Sequence, residues 1–210
     1  MGAFIVLEGG EGCGKSTQAR ILYQHLLKEN HATLLLHEPG GTPLGEQVRH
    51  LLMAHQDKRE DAMSPLAELL LFSAARAELL AIVLRPILKE GGVVVCDRYT
   101  PSTVAYQGYG RGLSLETIAQ VNRLATGGLE PDVVLLLDLP PEDGLRRKDE
   151  KERQRFEHEP LAFHRKVRQG YLEQAKTDPK RWLVLDGTLP VERIADTIWH
   201  RVEPLLRLRP

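Results

Sequence analysis

The sequence predicts an α/β fold: a five-stranded parallel sheet with helices on both faces. Three observations predict it. Five short apolar runs recur along the chain, most of them continuous or rich in β-branched residues, as strands covered on both faces require. Between them lie longer segments with apolar residues three and four apart, the spacing of a helix face. Strict strand–helix alternation then points to parallel pairing through helical crossovers.

The runs are Phe4–Leu7, Thr33–Leu36, Val93–Cys96, Val133–Leu137 and Trp182–Leu185. The helix-spaced segments are Ala19–Leu27, Leu66–Leu88, Leu115–Leu124, Phe163–Ala175 and Ile194–Leu205, with a further helix expected over Leu44–Ala54. The most polar stretch, Arg146–Glu159, reads as an exposed insert after the fourth strand. No internal repeat or low-complexity linker interrupts the pattern, and 210 residues suit one domain with a small mobile insert.

A formal net charge of −1 argues against a broad nucleic-acid or anionic-membrane surface, which needs a basic excess. The two cysteines, Cys13 and Cys96, fall in different motifs, so neither a disulfide framework nor a zinc spacing is expected. The chain reads as cytoplasmic and reduced. Its N-terminal apolar run is too short for a secretory leader, and no apolar stretch approaches the roughly 20 residues that span a bilayer. None of the eight histidines has a metal-ligand spacing.

Gly9-Gly10-Glu11-Gly12-Cys13-Gly14-Lys15-Ser16 matches G-x-x-x-x-G-K-[ST] between a strand and a helix, the context a phosphate loop requires. Glycines turn successive N–H groups inward as an anion nest, and the helix that begins there adds its positive end. Lys15 is expected on the β- and γ-phosphates of ATP, Ser16 on Mg²⁺, and Thr17 beside them. Cys13 fills a variable slot of the loop. The loop alone promises a nucleoside triphosphate; the guanine-reading N-K-x-D of switch proteins follows neither Leu137 nor Leu185.

Two further strand ends carry chemistry, and in open parallel sheets ligands bind beyond such ends. His37-Glu38-Pro39-Gly40-Gly41-Thr42 places Glu38 level with the phosphate loop, unless it is a plain turn. Asp97-Arg98-Tyr99 ends a Walker B-type strand, with Asp97 near the metal and Arg98 offering a fork to a second phosphate; a structural ion pair is the alternative. Ser102-Thr103-x-Ala105-Tyr106-Gln107-Gly108 follows.

These motifs resemble the thymidylate kinases of the bacterial type. The likeness covers essentially the whole chain and rests on Phe4–Gly9 running into the phosphate loop, Glu38-Pro39-Gly40-Gly41, Asp97-Arg98-Tyr99, Ala105-Tyr106-Gln107-Gly108, Pro131-Asp132 and Gly144-Leu145-x-Arg147. The resemblance implies a P-loop NTPase three-layer sandwich of the nucleoside monophosphate kinase kind, with a lid over about 144–159. It implies phosphoryl transfer from Mg²⁺–ATP to dTMP and a homodimer, with no nucleic acid or membrane as partner. Arg49 and Arg98 would hold the dTMP phosphate, Phe72 would stack on thymine, and Arg76 would bond a thymine carbonyl. Thr103 and Gln107 would meet the base edge, and Tyr106 would crowd the sugar 2′ position. Glu11 and Glu38 would lie near the 3′-hydroxyl or the metal. Without the resemblance, Phe72 reads as ordinary core.

The insert holds Arg146, Arg147, Lys148, Lys151, Arg153 and Arg155, interleaved with acids, which in isolation reads as a solvated face. Phosphoryl transfer needs positive charge on the migrating group. The phosphate loop has no Arg or Lys among Gly10, Glu11, Gly12 and Cys13, so that charge is expected from the lid, at Arg147, Arg153 or Arg155. The lid reads Gln154-Arg155 where the family often has Asp-Arg, and His37 stands where Arg is frequent. Asp186-Gly187-Thr188-Leu189-Pro190 would lie along the adenine. Two other readings stay open: a kinase for another monophosphate, and a non-catalytic P-loop switch.

Overall fold

A computed structural model describes residues 2–53, 63–147 and 155–207. Five parallel strands form the sheet: β1 (Ala3–Glu8), β2 (Thr33–His37), β3 (Val93–Asp97), β4 (Val133–Asp138) and β5 (Trp182–Asp186), in the order β2-β3-β1-β4-β5. Leu7 pairs with Asp97 on one side and Leu135 on the other, so the β1 and β3 ends lie level. β1 connects outward to β2, while β3 crosses over to β4. The crevice between β1 and β3 is therefore the point where the winding reverses, the place such sheets bind ligands.

The central strands are buried on both faces because their side chains alternate. Ile5 and Leu7 of β1 enter one core, with Val95 and Leu135, against α1 (Lys15–Lys28) and α9 (Val191–Arg207). Phe4 and Val6 enter the other, with Val94 and Cys96. Ile194, Ile198, Val202 and Leu206 of α9 recur every four residues and all are buried, which is why this segment is a helix on the sheet. The edge strands β2 and β5 are only partly covered.

Between β2 and β3 run α2 (Pro43–Met53) and α3 (Pro65–Leu79). Ser64 caps α3 by accepting the Ala67 N–H, and Pro65 at the first position needs no N–H partner. The helix expected over Leu66–Leu88 is not uniform: α3 passes through a π-helical turn, Leu80–Leu84, into α4 (Arg85–Lys89). After β3, α5 (Thr100–Thr103) continues as a second π-helical stretch, Val104–Gly110. No helix-spaced segment was expected there, and Pro101, Gly108 and Gly110 disfavour one locally. Burial overrides that preference: Ala105 and Tyr106 pack with α8 (Leu161–Thr177), Gln107 bonds Glu68 of α3, and Gly108 sits against Leu115 and Ile118. α6 (Leu115–Thr126) precedes β4, and α7 (Pro141–Arg146) follows it. The start of the expected lid, 144–146, is thus the end of a helix. No described helix is long and apolar enough to cross a membrane.

Candidate active site

The phosphate loop occupies residues 9–14, between β1 and α1. Gly9, Gly12 and Gly14 all have positive φ. At Gly12 the requirement is double: φ is +66°, and a Cβ there would stand 2.0 Å from the Gly144 carbonyl oxygen of α7. The loop is pressed onto that helix. Lys15 Nζ donates to the Gly10 carbonyl at 2.7 Å and lies 3.6 Å from Cys13 Sγ. Cys13 is buried among core residues beneath the loop, matching the space-filling reading. Ser16 Oγ donates to Asp97 Oδ2 at 2.5 Å, while buried Asp97 Oδ1 has no hydrogen-bond partner.

Arg98, directly after β3, has a left-handed backbone with φ 77°. For a residue with a Cβ this costs about 1 kcal/mol or more, so the surroundings must enforce it. They do: Arg98 N–H donates to the Leu7 carbonyl, and the next N–H, of Tyr99, donates to Glu8 Oε1 at 2.8 Å. The guanidinium is held on five sides. Nη1 donates to the Gly9 carbonyl, Ser102 Oγ and the Tyr171 hydroxyl; Nη2 donates to Glu11 Oε1 at 2.9 Å and to the Tyr106 hydroxyl. Tyr106 in turn donates to Glu11 Oε1 at 2.5 Å. Burial opposes the Arg98 charge, but Tyr106, Glu11, Tyr171 and Asp97 around it hold it protonated. Fully buried Glu8 accepts from Tyr99 N–H, Ser102 and Tyr171; burial raises its pKa, and Arg98 and these bonds counteract that.

One cavity of about 760 Å³ joins the loop to a second pocket. In that pocket Arg76 Nε donates to Glu38 Oε2 at 2.7 Å, with both side chains almost wholly buried. Arg76 Nη1 also donates to Thr103 and Asn122. Burial lifts the Glu38 pKa to about 7 despite Arg76, and its Oε1 is buried without a partner. Phe72 is only partly buried, lines the cavity and faces Phe156 across 6.1 Å. Arg49 also lines the cavity, and its Nη1 donates to the Pro39 carbonyl. Gln107 Nε2 donates to Glu68 Oε1 at 2.7 Å.

The basic insert divides. Arg147 lines the cavity, with Nη1 3.5 Å from the Gly12 carbonyl and Nη2 donating to the Gly187 carbonyl. It thereby joins the phosphate loop to the segment after β5. Arg155 turns away from the loop: its guanidinium pairs with Glu68 at 2.7 Å and donates to the Leu52 carbonyl. Arg146 pairs with Asp143 at the surface. Lys148, Lys151, Arg153 and Gln154 lie outside the described residues.

Comparisons with known proteins identify the family. A family profile described as Thymidylate kinase matches residues 7–198. This chain belongs to the thymidylate kinase family. The thymidylate kinase of Synechococcus sp. (strain JA-2-3B'a(2-13)) is 52% identical over 205 residues, covering 98% of this chain and 96% of the relative. That of Dehalococcoides mccartyi strain BAV1 is 48% identical over 209 residues, covering 100% and 99%. The crystal structure of thymidylate kinase from Ehrlichia chaffeensis superimposes with a TM-score of 0.77 at 31% identity, covering 96% of this chain and 98% of that one. The reaction is therefore that of a nucleoside monophosphate kinase: ATP and dTMP give ADP and dTDP, toward dTTP.

Several residues escaped the sequence reading: Phe156, which lines the cavity, and Glu8, Glu68, Arg111 and Tyr171, which hold its lining arginines and Gln107 from behind. Glu68 had a signal. Glu68, Phe72 and Arg76 stand at i, i+4 and i+8 and share one helix face, so an acid belongs to the same surface as the pair already singled out. Tyr171 had none, because only the packing of α8 brings it to Arg98.

Proposed function

We propose that the chain is a single catalytic domain that binds ATP at the phosphate loop and dTMP in the Glu38–Arg76 pocket, and transfers the phosphoryl group in line. The observation that carries this is the position of Arg98. It stands at the junction of the two pockets, with one face on the Gly9 carbonyl and the other on Glu11 and Tyr106.

In this reading the loop N–H groups of Gly10, Glu11, Gly12, Cys13, Gly14 and Lys15 cradle the triphosphate, with Ser16 and Thr17 following. Lys15 leaves the Gly10 carbonyl for the β- and γ-oxygens. Arg147, already beside Gly12, is the lid cation that the loop itself lacks. Arg153, outside the described residues, is a second candidate, while Arg155 is committed to Glu68. Arg49 and Arg98 hold the acceptor phosphate; two guanidinium groups have no purpose in a simple switch. Phe72 stacks on the base, Arg76 meets its carbonyl, Thr103 and Gln107 meet its edge, and Tyr106 closes the 2′ side of the sugar. Glu11 and Glu38 face the sugar and the metal side. Direct transfer needs no enzyme nucleophile, and the loop thiol of Cys13 is buried.

The donor set fits Mg²⁺. The orphaned Asp97 Oδ1 and the Ser16 hydroxyl 2.5 Å from its Oδ2 are hard oxygen donors, the kind that ion takes, with its remaining positions left to water and phosphate. Bound there, the ion would neutralise charge on the β- and γ-phosphates. Leu44 and Leu51 on α2 and Leu66 and Leu70 on α3 are exposed, which supports a homodimer through this face; light scattering on the purified protein measures it. Two buried, unpaired cysteines support a cytoplasmic setting.

ADP release with Mg²⁺–ATP and each of dTMP, dUMP, dCMP, dGMP and dAMP tests the reading. dTMP is expected to be turned over best, with dUMP second, since a missing methyl costs less than a mismatched hydrogen-bond edge. Preference for another monophosphate would defeat it.

A further inference from the structure

Glu68 is fully buried, yet it lies behind the proposed base pocket rather than in its wall. Four contacts converge on its carboxylate. Gln107 Nε2 donates to Oε1 at 2.7 Å, Arg111 donates through Nε to Oε1 and Nη2 to Oε2, both at 3.2 Å, and Arg155 pairs with Oε2 at 2.7 Å. Arg111 is anchored further by Glu159 at 2.6 Å. Two guanidinium groups thus neutralise and orient one buried acid, as a buried charge requires.

The consequence falls on Gln107. Its carboxamide has one end that donates and one that accepts, and rotation by half a turn exchanges them. A carboxylate only accepts. With Glu68 at 2.7 Å, the nitrogen must face it; the flipped amide would set oxygen against carboxylate oxygen. The Gln107 oxygen is then the end left for the cavity that Gln107 lines, and no described residue donates to it. The same cavity is lined by Arg76, which can only donate and is tied to Glu38, Asn122 and Thr103, one helical turn before Gln107.

We propose that Glu68 is a positioning residue that sets base specificity: it locks the Gln107 amide with its oxygen toward the pocket, so that the pocket takes a pyrimidine whose N3 carries a hydrogen. A donor next to an acceptor matches the carbonyl and N3–H of a 2,4-dioxopyrimidine. Cytosine presents the reverse, an amino donor and a bare N3 acceptor, and meets like against like at both positions. The inference rests on the assignment of this pocket to the dTMP base. Arg111 and Arg155 act one step further back, by holding Glu68.

The test is Glu68→Gln, which keeps the shape but can offer either hydrogen-bonding sense, freeing Gln107 to turn. In steady-state assays the ratio of kcat/KM for dTMP over dCMP is expected to fall about 10- to 100-fold, the worth of a hydrogen bond to a charged group, with the KM for ATP unmoved. A merely structural role would lower both acceptors alike and leave the ratio intact, and that outcome overturns the proposal. If the wild-type enzyme does not prefer dTMP at all, the functional reading fails instead, and the two failures are separate. Should Glu68→Gln not fold, the side-chain amide of Gln107 in the wild-type protein decides by NMR. One amide hydrogen shifted downfield and protected from exchange supports the lock; two freely exchanging hydrogens refute it.

Discussion

Ser16 at the start of α1 and Asp97 at the end of β3 meet through a 2.5 Å hydrogen bond, although 81 residues separate them. The bond crosses the crevice between β1 and β3 and leaves Asp97 Oδ1 buried and unpartnered. A buried carboxylate oxygen without a donor is costly, so the pair is built to receive something positive. Asp97→Asn keeps the shape and the Ser16 contact but removes the charge. The Mg²⁺ concentration giving half-maximal activity is expected to rise at least about tenfold. Metal titrations of activity at saturating nucleotide measure it.

Arg98 and Lys15 separate the two substrates. Arg98→Ala is expected to raise the KM for dTMP by about 100-fold, the scale of a lost charge-assisted phosphate contact, while ATP binding by calorimetry is retained. Lys15→Ala should lower kcat by about 100-fold or more, since a preorganised charge on the transferring group is removed. Collapse of ATP binding in Arg98→Ala would show that the arginine serves the other phosphate.

Glu38 makes stability depend on pH with a definite sign. Its folded pKa is lifted to about 7 by burial, above the ordinary carboxylate value, so folding favours the protonated form. That contribution is fully present below the unfolded pKa and is lost as pH rises through about 7. The stability of the metal-free wild type relative to Glu38→Gln should therefore fall between pH 5 and pH 8, by up to about 3 kcal/mol. Urea unfolding of both proteins at the two pH values checks the sign.

Gly12→Ala strikes the loop through its backbone. The substitution places a Cβ 2.0 Å from the Gly144 carbonyl at a φ of +66°. Stability should drop by more than about 1 kcal/mol, and the loop must lift from α7, so the KM for ATP should rise with it. Thermal unfolding and ATP titration together measure both effects. Gly10, whose Cβ position is open, is the control: Gly10→Ala should leave the melting temperature within a few degrees.

Much of the site was legible in the linear sequence because its parts sit where local chemistry is distinctive. The loop Gly9–Ser16 needs glycines with positive φ, and Asp97-Arg98 ends an unmistakable buried strand. Phe72 and Arg76 share a helix face by spacing, but only the family resemblance marked Phe72 as more than core. The helix over residues 100–110 was hidden, since Pro101, Gly108 and Gly110 disfavour a helix and only burial against α8 and the start of α6 makes the stretch helical. Arg147 and Arg155 were indistinguishable in the sequence. Both are arginines in one basic stretch, and only the fold sends one to Gly12 and the other to Glu68.

What the sequence determined by itself is therefore the sheet and the phosphate loop, which periodicity and short-range backbone constraints set within a few residues, and, through its resemblance to a known family, the class of reaction. What only the tertiary structure decided is which charges meet. Glu68 meets Gln107 and Arg155, and Tyr171 meets Glu8 and Arg98, across 39 to 163 residues of chain. Pairing over such distances depends on how α3 and α8 pack on the sheet, and no local pattern of residues encodes it.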